Sequence, residues 1–171
     1  NISERLADLW PSSSVLGIDG SIEMLKIARK RKENFKHSKR FRNLSYLHAN
    51  INLISDGRID LGISPDVFVS NSLLHHIHNP DCLWNVIKRM GNMSSVVFHR
   101  DLRRPSSLEE AMLLKDKYQP NSSEILNRDF LASLSAAFNV SEVNQQIKKA
   151  GLCQLKVFEV DDRYLEVVGV L

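Results

Sequence analysis

Residues Ser14–Arg31 read SVLGIDGSIEMLKIARKR. The continuous apolar run Val15-Leu16-Gly17-Ile18 is that of a strand buried on both faces, and it ends on an acid, Asp19. After Gly20 the pattern changes at once. Ser21 is placed to cap a helix that turns Ile22, Leu25 and Ala28 inward. A buried strand passing directly into an amphipathic helix predicts an α/β alternation, and the flanking sequence extends it.

Upstream, Ile2, Leu6 and Leu9 recur at helical spacing, and Pro11 stops that helix. Downstream, Leu44–His48 and Val67–Val69 are strands, with a short helix or irregular crossover over residues 52–64. Pro80 opens a helix that runs to Met90 and stops at Gly91. Val96–Phe98 is a strand ending near His99 to Asp101. Two helical patterns between Leu108 and Ala137, broken at Gln119-Pro120-Asn121, form an insertion over about 102–137. Asn139 then caps a helix with Glu142 as its capping-box partner, and Gly151 ends it. Leu155–Val160 and Tyr164–Val170 flank a tight turn at Asp161-Asp162, which demands an antiparallel hairpin. This order predicts one α/β domain over 1–171: a mainly parallel sheet with helices on both faces and a C-terminal antiparallel hairpin.

The bulk composition suits such a domain. The 171 residues are 43% hydrophobic and 25% charged, with a net charge of +3. No apolar run approaches the roughly 20 residues of a membrane helix. With no secretory signal visible, the expected location is cytoplasmic, and Cys82 and Cys153, which share no ligand spacing, are expected as reduced thiols. Charge is uneven: Lys26–Arg42 carries nine Lys or Arg against one Glu. That cluster is either the solvated face of a helix and its loop or a contact for RNA.

In open α/β sheets ligands bind beyond the carboxyl ends of the strands. The first such end offers Asp19, Gly20 and Ser21; the acid either accepts from both hydroxyls of a ribose or caps the next helix. The second offers Asn50 and Ile51, where the amide suits a base edge or an Asx turn. The third, VSNSLLHHIHNP from Val69 to Pro80, brings Asn71 and Ser72, then His75, His76 and His78. Spacing of i, i+1, i+3 cannot aim three rings at one ion, so no metal site is expected. The fourth, FHRDLRRP from Phe98 to Pro105, can face a polar substrate or pair its own charges.

The pieces VLGIDGSIEMLKIA, LSYLHANI, DVFVSNSLLHHIHNP, VVFHRDLRRP and NVSEVNQQIKKAGL, with the final hairpin, together resemble class I S-adenosylmethionine-dependent methyltransferases. The resemblance implies a Rossmann-like three-layer sandwich with strand order 3-2-1-4-5-7-6 and S-adenosylmethionine as cofactor. It assigns the ribose to Asp19 with Gly20 and Ser21 beside it, the adenine side to Met24, Asn50 and Ile51, and the methionine portion to Asn71 and Ser72. The family more often has Asp where Asn50 stands, and GNMSS replaces its usual Pro-Gly-Gly turn. The ribose acid normally follows the glycine-rich turn by about 20 residues, and Asp19 is nineteenth. The first strand and that turn are therefore expected to be missing, which leaves strand edges that a homodimer can cover.

Methyl transfer needs alignment of the acceptor and, where the acceptor must lose a proton, a base; His75, His76, His99 and Asp101 are the candidates. The acceptor expected is a small molecule, with the insertion setting specificity. Two rivals are a nicotinamide-dependent oxidoreductase, which the terminal hairpin disfavours, and a non-catalytic binding subunit touching RNA through Lys26–Arg42.

Overall fold

The computed structural model describes residues 1–35 and 40–171. Residues 36–39, within the basic stretch proposed for RNA, lie outside the described residues. Chain contacts divide the molecule into two compact units, Asn1–Asp60 and Leu61–Leu171.

In the first unit, helix α1 (Ile2–Leu9) precedes strand β1 (Val15–Asp19), helix α2 (Ile22–Glu33), strand β2 (Leu44–His48) and the short helix α3 (Ile51–Ser55). β1 and β2 pair in parallel, with Val15 opposite Leu44 and Asp19 opposite His48. Gly17 lies at the crossing of α1 over these strands: a Cβ there would stand 2.8 Å from both Ser3 Oγ and Tyr46 Cδ1. Ala7, Phe41 and Leu44 form the buried centre, with Val15, Phe35 and Tyr46 packed on it. Phe41 reaches that centre through a left-handed backbone (φ 61°). The Asn43 amide donates to the carbonyls of Ala7, Trp10 and Ser13, tying down the turn that follows α1.

The second unit contains strand β3 (Val67–Asn71), a 3-10 turn (Leu74–His76), helix α4 (Asp81–Met90) and strand β4 (Val96–Leu102). Helices α5 (Leu108–Tyr118), α6 (Glu124–Ala136) and α7 (Val140–Ala150) follow, then strands β5 (Lys156–Glu159) and β6 (Tyr164–Val170). The sheet order is β3-β4-β6-β5. β3 and β4 are parallel, and β6 is antiparallel to both β4 and β5. α4 packs on α7, where the Trp84 indole donates to Gln146 at 3.0 Å. Trp84, Val97, Val143, Leu165 and Val167 are fully buried.

Local signals carry through to these elements. The capping box of Asn139 and Glu142 starts α7, and Gly151 ends it with φ 75°. In the hairpin turn Asp161 accepts from the amides of Arg163 and Tyr164, while Asp162 accepts from Lys117 and Tyr118 of α5. The acidic turn thus anchors the insertion. In the GNMSS turn the buried Ser95 hydroxyl donates to Pro65 O and accepts from the Asn92 amide. A Cβ on Gly91 would come 2.8 Å from the backbone oxygen of Ile87 and would also meet Leu171, so this turn needs its glycine for close packing.

The two strand orders, β2-β1 and β3-β4-β6-β5, are the 3-2 and 4-5-7-6 portions of the expected order. Among the described residues no strand takes the remaining place.

Candidate active site

The carboxyl ends of β1 and β2 gather the residues expected at the adenosine side. Asp19 Oδ1 accepts from the Ser21 amide at 2.8 Å, and Ser21 Oγ accepts from the Met24 amide at 3.2 Å. Ser21, not Asp19, therefore caps α2. Asp19 is exposed, and among the described residues only Oδ1 of its two carboxylate oxygens has a hydrogen-bond partner. The adjacent carbonyls are tied down, with Ala49 N donating to Asp19 O and His48 Nε2 meeting Gly20 O at 3.0 Å. A Cβ on Gly20 would touch only Ala49 O, at 3.9 Å, so open space rather than backbone strain surrounds this position. Asn50 Oδ1 accepts from the Asn52 amide at 2.9 Å and caps α3, leaving its amide nitrogen outward. Met24 is 56% exposed, an uncovered apolar side chain beside these polar groups. A free carboxylate oxygen, an amide donor and an apolar surface suit a nucleoside.

At the end of β3, Ser72 adopts φ 53°, a strained value for a residue with a side chain. Its amide donates to Arg100 O at 2.9 Å, and its hydroxyl accepts from Asn71 Nδ2 at 3.0 Å. The turn reverses the chain so that the next amides point at β4. Asp101 receives them. Its Oδ2 accepts from Leu73 N at 2.7 Å and Leu74 N at 2.6 Å; its Oδ1 accepts from Leu102 N at 2.8 Å and from His75 Nδ1. All four lone-pair positions of the carboxylate are used. Burial opposes its charge, but the His75 bond, the positive influence of His99 and His75 and the Leu74 amide outweigh it, holding the carboxyl below its ordinary value. Asp101 is thus a buried anchor with no lone pair left to take a proton.

Because a carboxylate only accepts, the proton between it and His75 belongs to Nδ1, which leaves Nε2 as the ring nitrogen outside that bond. The His75 side chain is 4% exposed. The His76 ring lies 3.9 Å from it, centroid to centroid. Burial first, then the charge of His75, lowers the His76 imidazole below its usual value. His99 is buried: its Nδ1 bonds Ser70 Oγ, its ring meets Trp84 edge-on, and its Nε2 stands 3.7 Å from Asp101, too far for a hydrogen bond. Burial pushes this imidazole down to about 4, so it is neutral at pH 7.

Sequence reasoning missed the Ser70–His99 pair and the anchoring role of Asp101. A signal existed: His99 and Asp101 alternate on β4 and so share a face, while Arg100 between them points the other way and pairs with Glu166 at 2.9 Å. Among the described residues no group of three His, Cys, Asp or Glu is placed to hold a metal ion. No helix there is long and apolar enough to cross a membrane.

These two strand orders, one unit with an acid at the tip of β1 and the other ending in an antiparallel hairpin, fit the class I methyltransferase architecture. A family model described as "Methyltransferase domain" matches residues 1–97, and the chain belongs to that family of S-adenosylmethionine-dependent methyltransferases. No curated protein matches it in sequence. Among solved structures, the plantazolicin methyltransferase BpumL, in complex with a triazolic desmethylPZN analog and SAH, aligns with TM-score 0.71 at 14% identity over 98% of this chain and 70% of that one. A SAM-dependent methyltransferase from Aquifex aeolicus aligns with TM-score 0.59 at 14% identity, covering 91% and 68%. PigF with SAH gives 0.63 at 15%, covering 97% of this chain but 46% of that chain.

Proposed function

We propose that this methyltransferase acts on a small, largely apolar acceptor bearing an ionisable N–H or O–H, and that His75 takes the proton. S-adenosylmethionine, when bound, supplies a methyl group on an electrophilic sulfonium. For the cofactor, the proposed contacts are Asp19 to the ribose hydroxyls, Gly20, Ser21, Met24, Asn50 and Ile51 around the adenosine, and Asn71 and Ser72 at the methionine portion. The free oxygen of Asp19 fits the ribose role.

The observation that carries the acid–base reading is the Asp101–His75 bond, in which a saturated carboxylate holds Nδ1–H and leaves Nε2 as the acceptor. A base with one fixed tautomer is already oriented for proton removal. Asp101 is then a positioning residue, and His99 with Ser70 supports the strand that carries it. The apolar preference rests on the insertion. α6 packs on the 3-10 turn that bears His75, and α5 and α6 expose Leu108, Leu113, Ile125 and Leu126 by 55–71%. Such side chains favour an apolar partner over a charged one.

The test is transfer of radiolabelled methyl from S-adenosylmethionine to a panel of phenols and heteroaromatic amines. His75→Gln is expected to lower kcat about 10²- to 10⁴-fold, the usual range for a lost general base, with little change in cofactor affinity. A kcat within twofold of wild type would remove His75 from the mechanism. Label appearing only in peptide or RNA would remove the small-molecule reading.

A further inference from the structure

We infer that the first unit carries a binding site for the phosphodiester backbone of a single-stranded nucleic acid, separate from the cofactor residues. The cofactor residues sit at the carboxyl ends of β1 and β2. A cleft of about 550 Å³ lies toward the other end of β2, lined by Arg29, Lys32, Arg40 and Arg42 together with Phe35 and Tyr46. Among the described residues its one acid is Glu33.

The state of these cations, more than their number, points to an anion. Arg29 donates to Tyr46 O at 3.4 Å and Lys32 donates to Leu44 O. β2 pairs with β1 on one side only, so the two side chains guard its open edge. Neutral carbonyls position both groups without cancelling their charge. Arg40, in contrast, forms a two-pronged pair with Asp8 and lies over the Phe35 and Phe41 rings at 4.8 and 4.7 Å. Its charge is neutralised, and it serves as a fixed wall. Arg42 is exposed, and among the described residues no acid forms an ion pair with it.

Three uncancelled cations therefore face one cleft. Arg29 and Lys32 lie one helical turn apart on α2, about 5–6 Å between their Cβ atoms. A chain of phosphates can engage them in succession, whereas an isolated phosphate meets one or two. Phe41 is buried, and Arg40 covers the Phe35–Phe41 pair, so base stacking is not the main contact. Recognition is by backbone charge, without a sequence code.

The test is fluorescence anisotropy with labelled dodecauridine and the full 171-residue chain. Three phosphate contacts give a log–log salt slope of about −2 for a single strand, a roughly 20-fold loss of affinity between 50 and 200 mM salt. In the double variant Arg29→Gln/Arg42→Gln one contact remains, and the same change in salt should cost only about threefold. Lys148→Gln, an exposed lysine on α7, should keep the wild-type slope. Absence of binding at 50 mM salt, or an unchanged slope in the double variant, would overturn the inference. So would equal affinity for a polyglutamate of the same charge, which would mark the cleft as a general polyanion surface. Added S-adenosylhomocysteine is not required for binding, so this result is independent of the cofactor reading.

Discussion

Replacing Asp101 with Asn changes one atom and should disturb both stability and chemistry. The carboxylate accepts four hydrogen bonds, three from the amides of Leu73, Leu74 and Leu102 and one from His75 Nδ1. An Asn oxygen can keep the two from Leu73 and Leu74, at the strength of neutral rather than charge-assisted bonds, a loss of about 1 kcal/mol each. Its NH₂ group then faces the Leu102 amide, donor against donor. One buried N–H left without an acceptor costs about 1–3 kcal/mol. The sum is about 3–5 kcal/mol, a large part of the 5–15 kcal/mol that stabilises a typical domain. Urea unfolding at pH 7 measures it as a lower midpoint with an unchanged slope. The Asn side chain also donates to His75 Nδ1, which moves the ring proton to Nε2 and removes the proposed base. Activity should therefore fall in the fraction that remains folded, while Asp101→Glu, whose carboxylate still only accepts, should not move the ring proton in this way. A destabilisation under about 1 kcal/mol with kcat retained would refute the anchoring argument.

Three other outcomes follow from the geometry. His99 is held neutral by burial at about 4 against an ordinary 6.5; the unfolded chain binds its proton first as pH falls, so stability is full above pH 6.5 and is lost toward pH 4. The loss from this group is about 2.5 kcal/mol at pH 4.5, and His99→Gln should flatten that part of the pH–stability curve. Ser72→Gly relieves the left-handed strain at φ 53° and should raise stability by up to about 1 kcal/mol, while weakening S-adenosylhomocysteine binding in a titration. Gly91→Ala forces a Cβ to 2.8 Å from the backbone oxygen of Ile87 and against Leu171, and should cost about 1–3 kcal/mol in urea unfolding.

The architecture was legible because its signals are local. Ser21 at a helix start, the Asn139–Glu142 box, Gly151 at a helix end and two strands joined by a short turn each act within a few residues. The strand-end residues followed from the general position of ligands in open α/β sheets. The interior of the second unit was not legible in the same way. Asp101 gains its four partners only when Ser72 reverses the chain and β3 pairs with β4, so nothing local distinguishes an anchor from a base. Nor did local pattern separate the basic residues: Arg40 is neutralised by Asp8, 32 positions away, whereas among the described residues Arg29 and Lys32 donate to backbone carbonyls only. Which charges remain free is a tertiary property.

The measurement that tests the account most directly is calorimetric titration of S-adenosylhomocysteine into the chain, with Asp19→Ala beside it. Losing the charge-assisted bonds to a ribose costs about 2–4 kcal/mol, so saturable binding in the wild type and at least 30-fold weaker binding in the variant are predicted. Equal affinity of the two proteins would contradict the assignment of Asp19, and no heat from either would contradict cofactor binding by this chain.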